Sequence, residues 1–123
     1  MRQGQAVWKS KANAPEIAGE LVLATRADGS SFLQFTKTPL PFVVAQTTGH
    51  AWQIQFVPEN RTFSGPGTPP RRLLWLHLAR CVEGKCDEKH FTFKTLPTGN
   101  QVLEDRSTGE SIEFFLSASS AQP

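Results

Sequence analysis

A period-two alternation of apolar and polar residues dominates the chain. In Ala51–Phe56, the side chains of Trp52, Ile54 and Phe56 alternate with two glutamines, which is typical of a strand with one buried face. Turn signals such as Asp28-Gly29 separate runs of this kind. The runs predict about eight strands, at 20–26, 31–37, 42–48, 51–56, 61–64, 90–94, 101–105 and 111–116. The turns are too short for parallel crossovers, so the strands are expected to be antiparallel.

One segment has a different pattern. Residues Leu73–Val82 contain no Gly or Pro, and their apolar side chains cover most of a helical circumference. A helix this apolar is normally surrounded by other structure. The predicted fold class is therefore α+β and β-dominated. A curved antiparallel sheet, an incomplete barrel, wraps around one apolar helix.

The length predicts a single domain spanning 1–123. Residues 1–16 are polar and mixed, and we expect a loose N-terminal lead-in before a core at 17–117. Residues 118–123 are small and polar, and predict a flexible tail. Two prolines in the run Thr38–Pro41 are expected to interrupt the strand ladder, because proline cannot donate a backbone hydrogen bond.

Composition narrows the classes of function. The chain has 38% hydrophobic residues and a formal net charge of +2, with both signs scattered, so no basic footprint for nucleic acid is present. No window approaches the ~20 apolar residues of a membrane-spanning helix. The first residues are polar, unlike a signal peptide. Either the protein is cytosolic, or its export segment is absent from this sequence.

Cysteine and histidine residues form one cluster in the sequence. His77, Cys81, Cys86 and His90 make a symmetrical pattern that offers a weak zinc candidate. However, four residues separate the cysteines, a spacing less typical of zinc than two. A disulfide between Cys81 and Cys86, closing a small loop that contains Gly84, is the preferred interpretation and requires an oxidising compartment. Two free thiols are the remaining alternative.

No catalytic motif or cofactor motif is present, so we expect neither an enzyme nor a bound cofactor. The best candidates for an acid–base site are two pairs of carboxylates, Glu104 with Asp105 and Glu110 with Glu113. Such residues near hairpin turns are more often solvated. Arg71-Arg72 is interpreted either as a contact to a phosphate or lipid head group, or as an ordinary charged start of the helix.

The strand pattern resembles the periplasmic lipoprotein carriers and outer-membrane lipoprotein receptors of the Lol type. The resemblance covers most of 17–117 by pattern, without a diagnostic motif. It is carried by Gly19–Leu23, the Asp28-Gly29 hairpin, Pro41, Trp52–Ile54, Arg61–Gly65, the apolar helix, Phe91–Phe93 and the Thr108-Gly109 hairpin. The long N-terminal helix usual in that superfamily is short or missing here, and a single helical segment replaces the lid.

The resemblance implies an incomplete barrel that encloses an apolar cavity for acyl chains, in a periplasmic or outer-membrane-associated protein. The chain has nine Phe, three Trp and no Tyr, a set that favours dry burial. The cavity is predicted to be lined by Leu21, Leu23, Leu33, Phe35, Trp52, Ile54, Phe56 and Phe93, and capped by Trp75 and Leu78. The alternative is that these side chains simply fill a core, since strand count does not distinguish the two.

The predicted function is a non-catalytic carrier or receptor for the acyl chains of lipoproteins or another amphiphile. A membrane surface or a protein is a further possible partner. The alternative function is a protein-interaction module that uses a sheet edge or an exposed aromatic patch and has no lipid ligand.

Overall fold

The computed structural model describes residues 1–117, in which nine antiparallel strands form one unclosed sheet. The predicted tail at 118–123 lies outside the described residues. The strands are β1 (Arg2–Lys9), β2 (Glu16–Thr25), β3 (Ser31–Lys37), β4 (Leu40–Thr47), β5 (Ala51–Phe56), β6 (Arg61–Pro66), β7 (Phe91–Thr95), β8 (Gln101–Asp105) and β9 (Ser111–Leu116). Their order in the sheet is β6-β5-β4-β3-β2-β1-β9-β8-β7. The fold is β-dominated, as predicted, but it has nine strands instead of about eight.

The additional strand is β1, and the prediction of a loose lead-in at 1–16 is wrong. Arg2–Lys9 pairs with β2 on one side and with β9 on the other. It therefore joins the N-terminal meander to the three C-terminal strands. Gly4 lies where a Cβ would overlap the backbone of β9, so only glycine fits this close approach. β2 begins at Glu16, four residues before the predicted start at 20, because its first residues pair with β1.

The single apolar helix predicted at Leu73–Val82 is not formed. The segment consists of a 3-10 turn at Leu74–Leu76 and a five-residue helix, α1 (Leu78–Val82). His77 lies between them, and its backbone N–H bonds to the carbonyl of Leu74 at 2.9 Å, three residues back. All residues from Leu74 to Ala79 are buried. Packing of these buried side chains outweighs the preference of the residues for one continuous helix.

The two prolines of the Thr38–Pro41 run do not break the sheet completely: Pro39 lies in the turn between β3 and β4, and Pro41 lies beside a bulge. Pro41 belongs to β4 and faces Thr36, while Val43 faces Phe35, so Phe42 is the extra residue of the bulge. Proline is tolerated at such irregular positions because a ladder hydrogen bond is already missing there. The bulge turns Phe42 toward Phe35, and their ring centroids are 6.3 Å apart.

The sheet is strongly curved. Trp8 in β1 and Phe56 in β5 are four strand positions apart, a separation of about 19 Å in a flat sheet with ~4.8 Å between strands. Their ring centroids are nevertheless 6.3 Å apart. Residues 73–82, named the covering segment below, lie against the inner face of this curve. Trp75 packs on Phe35 of β3, and His77 packs on Phe91 of β7 at 5.1 Å.

Candidate functional site

The ten predicted cavity residues belong to one apolar cluster on the inner face of the sheet and on the covering segment. Seven are buried: Leu21, Leu23, Leu33, Phe35, Ile54, Trp75 and Leu78. Trp52, Phe56 and Phe93 are half-buried and pack against them. The strand register explains this convergence, since Leu23 faces Leu33 and Leu21 faces Phe35 across the β2–β3 pair.

The covering segment fills the centre of this cluster. Trp75 stacks on Phe35 with ring centroids 5.0 Å apart, and Trp8 meets Trp75 edge-on at 5.7 Å. Leu78 has no exposed surface. The inner face is thus occupied by the chain's own side chains in this conformation. A ligand chain can reach it only if the covering segment moves.

The indole nitrogen of Trp75 is buried, and among the described residues it finds no hydrogen-bond partner. An unsatisfied buried donor of this kind costs about 1–3 kcal/mol. Trp75 therefore contributes a large apolar surface together with a local polar penalty. That penalty is relieved whenever the indole reaches water, so it lowers the cost of displacing the covering segment.

Trp8 is the central site residue that the sequence did not reveal. Its ring packs against Phe42, Phe56 and Trp75, although it lies in a segment with few large apolar residues. The only signal was that a lone tryptophan is rarely left fully in solvent.

Glu110 lies at the edge of the cluster. The Trp8 Nε1–H group donates to its Oε2 at 2.9 Å. Burial of the Glu110 carboxyl, reinforced by the nearby charge of Asp105, raises its pKa from 4.5 to about 7. The hydrogen bond from Trp8 opposes this rise. A titratable group near neutral pH therefore holds one of the aromatic rings of the cluster.

The other paired carboxylates do not act together. The Asp105 carboxylate accepts hydrogen bonds from the backbone and hydroxyl of Ser107 at 2.8 and 2.7 Å, which closes a turn. Glu113 accepts one from the Asn100 amide at 3.0 Å. Glu104 is half-buried. These contacts support hairpins and do not converge on a reacting position.

The cysteine and histidine cluster is brought together in space, with a disulfide between Cys81 and Cys86. His77 Nε2 lies 2.9 Å from the carbonyl oxygen of Pro70, and His90 Nδ1 lies 2.8 Å from Asp87 Oδ2. Burial lowers the pKa of His77, which favours the neutral form of its ring. Within residues 1–117 there is no group of three or more His, Cys, Asp or Glu arranged to hold a metal ion. The four weak zinc candidates thus have other partners.

A depression of about 440 Å³ lies beside the disulfide and is mainly cationic. Arg71, Arg80 and Lys85 line it, and Asp87 is its single carboxylate. Arg71 comes from the Arg71-Arg72 pair, in which both residues are exposed. The hydrogen bond from His90 lowers the pKa of Asp87. The depression continues into a second one of about 310 Å³ that shares Arg80 and Lys85. The two depressions together are called the cationic depression below.

In the described part of the chain, no helix is long and apolar enough to span a membrane. Comparisons of the chain with protein-family models, curated proteins and solved structures find no match. The function of this site must therefore be inferred from its own geometry.

Proposed function

We propose that the protein is a non-catalytic carrier or receptor that binds acyl chains of lipoproteins or of another amphiphile on the inner face of its sheet. The observation that supports this is the convergence of apolar residues from β2, β3, β5 and β7 on one short covering segment. The buried indole nitrogen of Trp75, which finds no partner within residues 1–117, lowers the cost of moving that segment. Apolar burial binds such chains without polar specificity.

Binding in this proposal places the ligand chain between the inner face and the covering segment, which lifts off the sheet. Exposing the side chains of Trp75, Leu74, Leu76 and Leu78 would cost about 10 kcal/mol, at ~25 cal/mol per Å² of apolar surface. Each buried methylene of a ligand contributes about 0.8 kcal/mol, so about twelve are needed to offset that cost. The affinity should therefore increase with chain length and be substantial only for long acyl chains.

A location outside the cytoplasm belongs to the same proposal. The Cys81–Cys86 disulfide supports it, because disulfides persist in oxidising compartments such as the periplasm. The disulfide closes the chain immediately after α1 (Leu78–Val82) and restrains that end of the covering segment. Movement of the segment would then begin at its other end, near Leu73.

The proposal is tested with a fluorescent fatty acid and a pair of matched substitutions. Trp52→Asp introduces a charge on the inner face, where Trp52 is half-buried beside Ile54 and Phe56. Phe115→Asp introduces the same charge on the outer face, where Phe115 is 54% exposed. We expect saturable one-to-one binding by the wild type and by Phe115→Asp, and at least ~10-fold weaker binding by Trp52→Asp.

Circular dichroism of each variant confirms that it is folded. If Trp52→Asp is unfolded, Trp52→Gln takes its place. Equal binding by the inner-face and outer-face variants, or no binding by the folded wild type, overturns the proposal.

A second function is favoured by the free edges of the sheet. Within residues 1–117, the strand order leaves β6 and β7 each with one unpaired side, to which a partner segment can add as a further strand. In that function the inner face is only a core. Absence of amphiphile binding by the folded protein favours this interaction module.

A further inference from the structure

We propose that the cationic depression binds the anionic group, a phosphate in particular, of the amphiphile whose chain lies on the inner face. This inference rests on the proposed function and specifies its ligand class as anionic amphiphiles. It starts from the charges that line the depression and from its position beside the covering segment.

The depression gathers more positive than negative charge. Within residues 1–117, Arg71, Arg80 and Lys85 form no ion pair, and Asp87 is hydrogen-bonded to His90 at 2.8 Å. Three like charges around one concavity repel each other, and the arrangement is relieved when an anion enters. A concave surface with an excess of one sign also raises the local concentration of an oppositely charged ligand.

The three cations are held near each other by covalent and hydrogen-bonded structure. Arg80 lies on α1, and Lys85 lies in the loop that the disulfide closes. The backbone N–H of Lys85 donates to the carbonyl of Arg80 at 2.8 Å. Arg71 approaches from the chain just before the covering segment. The guanidinium groups of the two arginines suit the bidentate geometry of a phosphate, and Lys85 adds a point charge.

Two carboxylates also line the depression, Asp87 in the first part and Glu83 in the second, so the three cations remain in excess. Thr68 contributes a hydroxyl that can donate to a phosphate oxygen.

The depression is also continuous with the covering segment. His77 and Cys81 line it, and both belong to that segment, in which Leu74, Trp75, Leu76 and Leu78 are buried in the apolar cluster. An amphiphile with its chain on the inner face can therefore place its head group in the cationic depression. The two parts of one molecule would then contact the two faces of the same segment.

The experiment compares ligands that share one chain and differ in head group. Tetradecyl phosphate and tetradecyl maltoside are titrated into the protein by calorimetry below their micelle concentrations. The variant Arg71→Gln/Arg80→Gln/Lys85→Gln removes the depression's cations. The variant Lys11→Gln/Lys37→Gln/Lys94→Gln removes three exposed lysines that lie outside the depression, for the same change in net charge.

We expect the wild type and the lysine control to bind the phosphate about ten-fold tighter than the maltoside, and this preference to weaken with salt. The triple variant of the depression should lose the preference while its affinity for the maltoside is unchanged. Inorganic phosphate, added as a competitor, should weaken binding of tetradecyl phosphate only.

The outcomes separate the two proposals. If both ligands bind equally well to the wild type, the anion site is overturned and the acyl-chain site stands. If inorganic phosphate binds in the depression and neither amphiphile binds, the anion site stands without the proposed function. If nothing binds to the folded protein, both are overturned. An equal loss of preference in the lysine control also overturns the inference, because general charge would then be the cause.

Discussion

The contact between Glu110 and Trp8 makes the stability of the fold depend on pH. The pKa of Glu110 is about 7 in the folded chain, against 4.5 for the free group, because the carboxyl is removed from water. The folded state therefore holds its proton more tightly than the unfolded state does. The stabilisation is fully present below pH 4.5 and is lost as the pH rises through 7.

The size of the effect follows from that shift. One pKa unit corresponds to about 1.4 kcal/mol, so ionisation of Glu110 reduces the free energy of unfolding by about 3 kcal/mol at alkaline pH. Between pH 5 and pH 8 the expected loss is about 2–3 kcal/mol. The charged group that faces Glu110 is Asp105, which adds to the rise of its pKa.

Glu110→Gln tests this reasoning. The amide oxygen still accepts the hydrogen bond from Trp8 Nε1, but no charge forms. Urea unfolding followed by circular dichroism, at pH values from 5 to 8, should show a flatter pH dependence for Glu110→Gln. At pH 8 the variant should be about 2–3 kcal/mol more stable than the wild type. Glu20→Gln, at an exposed position of β2, should keep the wild-type slope.

The reasoning is refuted if Glu110→Gln retains the wild-type pH dependence, or if it is less stable than the wild type at pH 8. The second result would mean that the ionised carboxylate is a better partner for the indole than the neutral group, and that burial is not the dominant cause.

Three further changes probe the packing of the fold. Leu78→Ala should reduce the free energy of unfolding by about 2–5 kcal/mol in urea titrations, because Leu78 is fully buried. Leu40→Ala, at a residue that is 67% exposed, should change it by less than ~0.5 kcal/mol. Equal effects of the two substitutions would contradict the burial of Leu78 in the core. Replacing Cys81 and Cys86 together by Ala should lower the free energy of unfolding by about 2 kcal/mol, because the disulfide is lost. Intact mass with and without alkylation measures whether the two sulfur atoms are bonded. Two alkylated thiols in unreduced protein from an oxidising compartment would exclude the disulfide. Gly4→Ala should destabilise the chain, because its Cβ would overlap the backbone of β9, and an unchanged melting temperature would contradict this pairing.

The sequence predicted the strands that carry a clear alternation. Trp52, Ile54 and Phe56 lie on the inner face of β5, as their spacing requires. β1 was missed because its inner positions include Gly4 and the small Ala6, which give no apolar signal. Close approach to its neighbours, which only the tertiary structure shows, demands small residues there.

The covering segment was predicted as a helix because its residues have good helix propensity. Local propensity does not include the surroundings, and here the segment is enclosed by aromatic rings from β1 and β3. The sequence predicts which residues form the apolar cluster, but not whether its centre is a cavity or is filled by a packed segment. Whether such residues enclose a cavity or a packed segment depends on the volume of Trp75 and its neighbours in three dimensions.

The cationic depression combines residues that are scattered along the sequence. In the sequence, Arg71, Arg80 and Lys85 resemble ordinary surface charges, and only the pair Arg71-Arg72 is identified as a candidate contact to a phosphate. The turn after α1 and the disulfide place them together. Their lack of ion-pair partners is visible only in the folded chain.

The central claim, that an acyl chain reaches the inner face beneath the covering segment, is tested most directly by quenching of Trp75. The chain has three tryptophans, so Trp8→Phe/Trp52→Phe leaves Trp75 as the sole fluorophore. Stearate brominated at mid-chain quenches an indole only at contact. The account predicts saturable one-to-one quenching of Trp75, reversed by excess palmitate. Binding of the fatty acid without quenching of Trp75, or no binding by the folded variant and the wild type, would contradict it.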